Sequence, residues 1–156
     1  MKTNYLLPYR YKMLGWILFL IGLISGILLF INDYEYPNLT VKVFSIYYEG
    51  IFDSENGFFK LVHNNIADEI VAAMIIVGGL LVGFSKEKVE DEFIYKLRKD
   101  SLLWAIIFNY IVLMFTIIFI FDMAYFHVLV LNMFTPLLFF IIRFNFLKLK
   151  SRSDEE

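Results

Sequence analysis

Few side chains in this sequence could do chemistry, and their neighbours decide what that chemistry would be. There are two histidines, His63 in a polar stretch and His127 near one end of an apolar run, and no cysteine. Two imidazoles make a metal site only where carboxylates converge on them, so neither a metal nor another cofactor is expected. Asp68 and Glu69 follow Asn64-Asn65 and precede an apolar run. Acids there complement a helix dipole, and Asn65-x-x-Asp68 resembles a capping box. The competing reading makes Asp68, Glu69 and His127 an acid-base site acting on lipid at a membrane interface. No G-x-S-x-G, phosphate loop, H-E-x-x-H or D-x-D-type cluster lies in an apolar run. The chain therefore reads as a non-enzyme.

A second set of polar groups sits inside the apolar runs. Asn109 and Thr116 are seven residues apart, and Asn132, Thr135, Pro136, Phe139 and Arg143 recur at spacings of three and four. Pro136 has no N–H to donate, so the carbonyl of Asn132 loses its helical partner and needs a polar neighbour. These residues read either as polar glue between helices or as a kinked gate with a small polar pocket. In a small transporter or channel, Asn109, Thr116, Asn132 and Thr135 would line the path. An intramembrane acid or a pair of broken helices would announce a transporter more clearly, and neither stands out.

The third set is a charged block. From Lys86 to Asp100, ten residues are charged, five of each sign. Read as a helix, the acids Glu87, Glu90, Asp91 and Glu92 come first, and Lys96, Arg98 and Lys99 follow, as a helix dipole prefers. Glu92 and Lys96 form an i, i+4 pair. Val89, Phe93 and Leu97 recur every four residues with Ile94 beside them, giving one apolar face. Such a helix is either a solvated connector or a docking surface, with Val89, Phe93 and Leu97 as anchors and Lys96, Arg98 and Lys99 setting partner choice.

The elements that must position these groups follow from composition. Of the 156 residues 60% are hydrophobic, against about 45–50% in soluble domains, and the mean hydropathy is +0.67. Lipid is the solvent such a chain needs. Apolar runs give four spans at about 13–32, 66–84, 102–121 and 123–142, the last two divided near Asp122, which is expected to N-cap the fourth. The first run is too long for a signal-peptide core and lacks a cleavage site, so it reads as retained. Twelve Lys and Arg lie in the N-terminal segment, the 85–101 segment and the C-terminal tail, whereas only Lys42 and Lys60 lie in the remainder. That bias puts both termini and the charged helix in the cytoplasm of an inner membrane.

Between the first two spans, residues 33–65 form the outer loop. TVKVFSIYY and FFKLV read as strands of a small β-hairpin, with Asn56-Gly57 the expected turn pair; Asn38 is a formal glycosylation acceptor. Gly15, Gly22 and Gly26 make a small-residue stripe on the first span, and Ala72, Ile76, Gly79 and Gly83 one on the second. Small residues let helices approach closely in lipid. The stripes fit an intramolecular pair or a homodimer face. The expected fold class is thus an all-α membrane protein: a four-transmembrane-helix bundle with a β-hairpin-like extracytoplasmic loop and a cytoplasmic amphipathic helix, in one domain over 1–156.

NYLLPYRYKMLGW, SKEKVEDEFIYKLRKDSLLWA and NMFTPLLFFIIRFN resemble blocks of a group of small uncharacterised bacterial four-span membrane proteins, over most of the chain. The resemblance carries no catalytic residues. It implies the same topology and an association with short helix-turn-helix transcription regulators. The leading expectation is a non-enzymatic regulatory or accessory membrane protein whose partners are the lipid bilayer and another, cytoplasmic protein. Direct nucleic acid binding is not expected. A small transporter or channel, and a membrane-embedded lipid-acting enzyme, are the alternatives.

Overall fold

The structure, a computed structural model, describes residues 5–31, 39–49 and 57–153. In chain order the elements are α1 (Arg10–Ile31), β1 (Thr40–Tyr48), β2 (Gly57–Asn65), α2 (Ala67–Phe84), α3 (Glu92–Phe119), α4 (Asp122–Asn132) and α5 (Thr135–Ser153). The protein is mostly helical with one small antiparallel sheet. Among the described residues three helices, α1, α2 and α3, are long and apolar enough to cross a membrane, and there are four such spans if α4 and α5 count as one bent span. The chain divides into two compact units, one of Met1–Ile21 with Met74–Glu156 and one of Gly22–Ala73.

In the larger unit, α2 packs between α1 and α5, and adjacent glycines make the two contacts. A side-chain carbon at Gly78 would lie 2.5 Å from the Phe19 backbone nitrogen, and one at Gly15 would lie 2.8 Å from that of Val82. Backbone thus meets backbone between α1 and α2, as small residues permit. Gly79 opens toward Leu137 of α5 and, at 3.2 Å, the Phe19 ring of α1, and Gly83 toward the Phe140 ring of α5. The closest backbone approach to α1 is thus made by Gly78 rather than Gly79, and Gly83 faces α5: turning one residue along a helix swings a side chain by about 100°. Phe140 and Phe144 form the buried floor of α5, with Phe84 5.8 Å from Phe140. Phe108 of α3 stacks on Phe139 of α5 at 4.5 Å.

Three expected boundaries change. The charged helix begins only at Glu92, the block's opening residues being non-helical, and from there runs into the third span as the charged block leads one to expect, in one helix of 28 residues, α3. Asp91 sets its start by accepting a hydrogen bond from the Ile94 backbone N–H at 2.8 Å, while no Gly or Pro interrupts the run into Leu102. The expected fourth span is broken into α4 and α5, bent by 43°. Pro136 stands at the break and cannot donate to the Asn132 carbonyl, and α5 then continues past Ile142 to Ser153. Finally, Asp122 does not cap α4. The N-cap is Phe121, which makes no side-chain cap bond, and Asp122 takes a left-handed φ of 58°. Asp is among the few non-glycine residues that tolerate this conformation, which lets the chain reverse there without glycine.

α1 begins earlier than expected, at Arg10, after a turn in which the Tyr11 N–H donates to the Pro8 carbonyl at 3.1 Å. Many of the large apolar side chains of α1 and α3 face outward; Ile24, Ile27, Leu103, Ile107, Phe115 and Ile118 are all exposed.

The smaller unit holds the hairpin. β1 and β2 pair antiparallel from Thr40 opposite Asn65 to Tyr48 opposite Gly57. Because Gly57 is already paired, it belongs to β2 and a two-residue Asn-Gly turn does not connect the strands. Asn56 and Asn38 lie outside the described residues. The Ile66 N–H donates to the Leu39 carbonyl at 3.3 Å, closing the base. Phe59 has φ 56°, although the register is kept on both sides of it. For a bulky aromatic such a backbone costs on the order of 1–3 kcal/mol.

Candidate functional site

The described polar groups gather most densely where α2 ends and α3 begins. Leaving α2 at Phe84, the chain runs extended and pairs with the N-terminal segment: the Leu7 N–H donates to the Phe84 carbonyl and the Lys86 N–H to the Leu7 carbonyl, both at 2.9 Å. Leu6 is buried beside this bridge. The Tyr95 hydroxyl of α3 beside the Tyr5 phenol raises the Tyr5 pKa.

Two ion-pair groups follow. Glu87 binds Lys12 of α1 through one carboxylate oxygen and Lys148 of α5 through the other, the latter at 3.2 Å. Burial alone would push the Glu87 carboxyl up, but the Lys12 and Lys148 ammonium groups outweigh it and hold the carboxyl below its ordinary range. Glu90 accepts from both terminal nitrogens of Arg98, with Nη2–Oε2 at 3.1 Å, and from the Glu87 backbone N–H at 2.8 Å. Arg98 Nη2 also donates to the Ser85 carbonyl at 3.3 Å. Phe144 joins the two groups, its ring centroid 5.1 Å from the Arg98 guanidinium carbon and 5.7 Å from Lys12 Nζ. The Arg98 side chain is 5% exposed and that of Glu90 16%. Arg98 Nε and the hydroxyls of Ser85 and Ser101 are buried without a hydrogen-bond partner.

This arrangement joins α1, α3 and α5 through one short loop. Its contacts are charge pairs and charge-assisted hydrogen bonds. Next to it lies a surface groove of about 440 Å³ lined by Tyr9, Glu87, Lys88, Val89, Asp91, Phe93, Ile94, Lys148 and Ser151. Val89 is 73% exposed and Phe93 53%. Lys96 and Lys99 are exposed and Leu97 is half-buried. Arg98, expected among the docking cations, is instead buried and engaged by Glu90. Its position on the helix turns it inward onto Phe144, where an unpaired guanidinium would be costly.

The polar residues within the apolar helices stay with their own helices. Thr116 donates to the Val112 carbonyl at 2.9 Å and Thr135 to the Leu131 carbonyl at 3.4 Å. Asn109 and Asn132 each have a buried Oδ1 without a hydrogen-bond partner. Among the described residues no hydrogen bond ties Asn109 or Thr116 to Asn132 or Thr135. Pro136 is the second residue of α5. Arg143 lies over the Trp104 ring at 5.3 Å. Of the small residues on the first two helices, Gly15, Gly22, Gly79 and Gly83 are buried, and Gly26 and Ala72 half-buried.

Elsewhere, the Asn65 side chain accepts from the Ala67 N–H at 3.1 Å, and Asn64 donates to Glu69 at 2.7 Å. Both asparagines and Glu69 therefore serve the start of α2. The His127 Nδ1 is 2.8 Å from the Met123 carbonyl one turn earlier. Among the described residues no cluster of His, Asp or Glu could hold a metal ion.

Sequence reasoning missed the Lys12–Glu87–Lys148 group, the Glu90–Arg98 pair and Gly78. One signal was available: Lys12 is the last charge before the apolar run of α1, where an acid would be drawn to it. No known protein family, curated protein or solved structure matches the chain.

Proposed function

We propose that the chain is an integral protein of a bacterial inner membrane, with both termini and the Val89–Phe93 surface in the cytoplasm, acting as a non-enzymatic regulatory or accessory partner of another protein. Apolar residues such as Ile24, Ile27, Ile107 and Phe115 point outward from helices of crossing length, a surface that water would not tolerate and lipid solvates. The distribution of Lys and Arg, twelve against two, supports the orientation.

One observation carries the functional reading. Val89 and Phe93 stand exposed beside the groove on backbone pinned by two ion-pair groups. Aromatic anchors on a rigid base, ringed by charge, are how partner contacts are built. A photo-crosslinking residue replacing Phe93 should capture one defined cytoplasmic protein in native membranes, and Val89→Ser should abolish the capture. An identical crosslink profile with and without Val89→Ser would remove the reading.

A second reading rests on Asn109 and Asn132, whose unpaired buried oxygens lie in α3 and beside the α4–α5 break. Broken helices with free polar groups are the usual site of a small transporter. Solute flux into vesicles that is lost in Asn132→Leu would favour it.

A further inference from the structure

The hairpin presents a face of its own. Strand pairing places Lys42, Phe44 and Ile46 of β1 on the same side as Leu61 and His63 of β2. The Phe59 ring lies there too, stacked 6.1 Å from Phe44. Phe44, Ile46, Phe59 and Leu61 are 63%, 66%, 69% and 71% exposed, so four large apolar side chains form one uncovered patch. Phe59 holds its place against Phe44 despite the left-handed backbone described above, and strain of this kind gathers where function over-determines a conformation.

We infer that this face is a membrane-interface anchor: Phe44, Ile46, Phe59 and Leu61 enter the boundary between headgroups and acyl chains of the bilayer, with Lys42 meeting lipid phosphates. The inference rests on the membrane-spanning reading of α1 and α2. Continuity commits the patch to lipid, because β2 ends at Asn65 and α2 begins at Ala67. Only Ile66, tied to Leu39, separates the hairpin from a spanning helix. The chemistry agrees, since aromatic and aliphatic side chains beside lysine are the composition of interfacial segments. Area argues against a second copy. At these exposures the four side chains offer on the order of 500 Å², short of the roughly 800 Å² per partner of a stable interface.

Because the chain has no cysteine, each single-cysteine variant carries one label. Full-length Ile46→Cys, Ser45→Cys and Ile24→Cys, each bearing a nitrobenzoxadiazole fluorophore, are reconstituted in phosphatidylcholine–phosphatidylglycerol vesicles with nitroxide-bearing lipids. Ile24→Cys reports on the spanning helix, and Ser45→Cys on the opposite face of the hairpin. The expected result is that Ile46→Cys is quenched at least twofold more than Ser45→Cys, and more by a nitroxide near the headgroup than by one deep in the acyl chain. Equal quenching of Ile46→Cys and Ser45→Cys, with Ile24→Cys quenched, overturns the anchor and leaves the spanning reading intact. An unquenched Ile24→Cys overturns both. Disulfide-linked dimers of unlabelled Ile46→Cys under oxidant, with no quenching of the labelled variant, assign the face to a second copy and overturn the lipid assignment.

Discussion

Replacing Arg98 by methionine keeps most of the side chain's length over Phe144 and removes its charge. Glu90, 16% exposed, then loses both guanidinium contacts and keeps the Glu87 backbone N–H, while the Ser85 carbonyl loses a donor. Removing one partner of a buried pair costs about 3–5 kcal/mol, because the other charge stays buried without compensation. At about 2–4 °C per kcal/mol for a chain of this size, the melting temperature in detergent should fall on the order of 10 °C. Glu90→Leu alone should cost a similar amount by stranding Arg98. Combined, the two substitutions remove both charges, and replacing a buried pair by apolar groups is often neutral. The cycle should therefore show a coupling of at least about 2 kcal/mol. Costs that add within about 0.5 kcal/mol would refute the pair as the element closing this end of the helices.

Three further outcomes follow from the geometry. Gly78→Ala meets the Phe19 backbone whereas Gly83→Ala meets the Phe140 ring; overpacking costs about 1–3 kcal/mol, and thermal melts should put Gly78→Ala at the costlier end because backbone yields less than a ring. The folded Glu87 carboxyl is held below its ordinary range, so its stabilisation is full above the unfolded carboxylate pKa and is lost as pH falls through the folded value. Melting temperature should drop across that acidic window in the parent, and Glu87→Gln should remove part of the drop. Pro136→Ala restores an N–H for the Asn132 carbonyl and should relax the 43° bend, read as a longer spin-label distance between positions 123 and 146; an unchanged distance would assign the bend to packing alone.

The elements most legible in the sequence are those governed by local composition. α1 and α2 are apolar runs of crossing length, and in lipid that alone specifies a helix. The β-branched and aromatic run at Thr40–Tyr48 signals its strand in the same way. What was hidden depends on single hydrogen bonds or on distant partners. Four acids between Glu87 and Glu92 could each have capped α3, and only the Asp91 bond to Ile94 decides its start. Arg98 reads as a surface cation until Glu90, eight residues back and off the helix, is seen to engage it. Lys12 and Glu87 are 75 residues apart, a separation over which spacing carries no information. Gly78 meets the α1 backbone whereas Gly79, the next residue, meets Leu137 of α5 first and the Phe19 ring second, which a stripe of small residues cannot distinguish.

The continuity of α3 has a mechanical meaning. From Glu92 to Phe119 there is no joint, so a helix about 42 Å long carries Phe93 in its first turn and Thr116 in its last. A rod of this kind does not absorb a push at one end; it tilts or slides as a body. The neighbouring α4–α5 pair, already bent at Met133–Phe134, is where the matching give would occur. A push at Phe93 would thereby reach the far end of the same helix, at Ile120–Phe121, where the left-handed Asp122 turns the chain back.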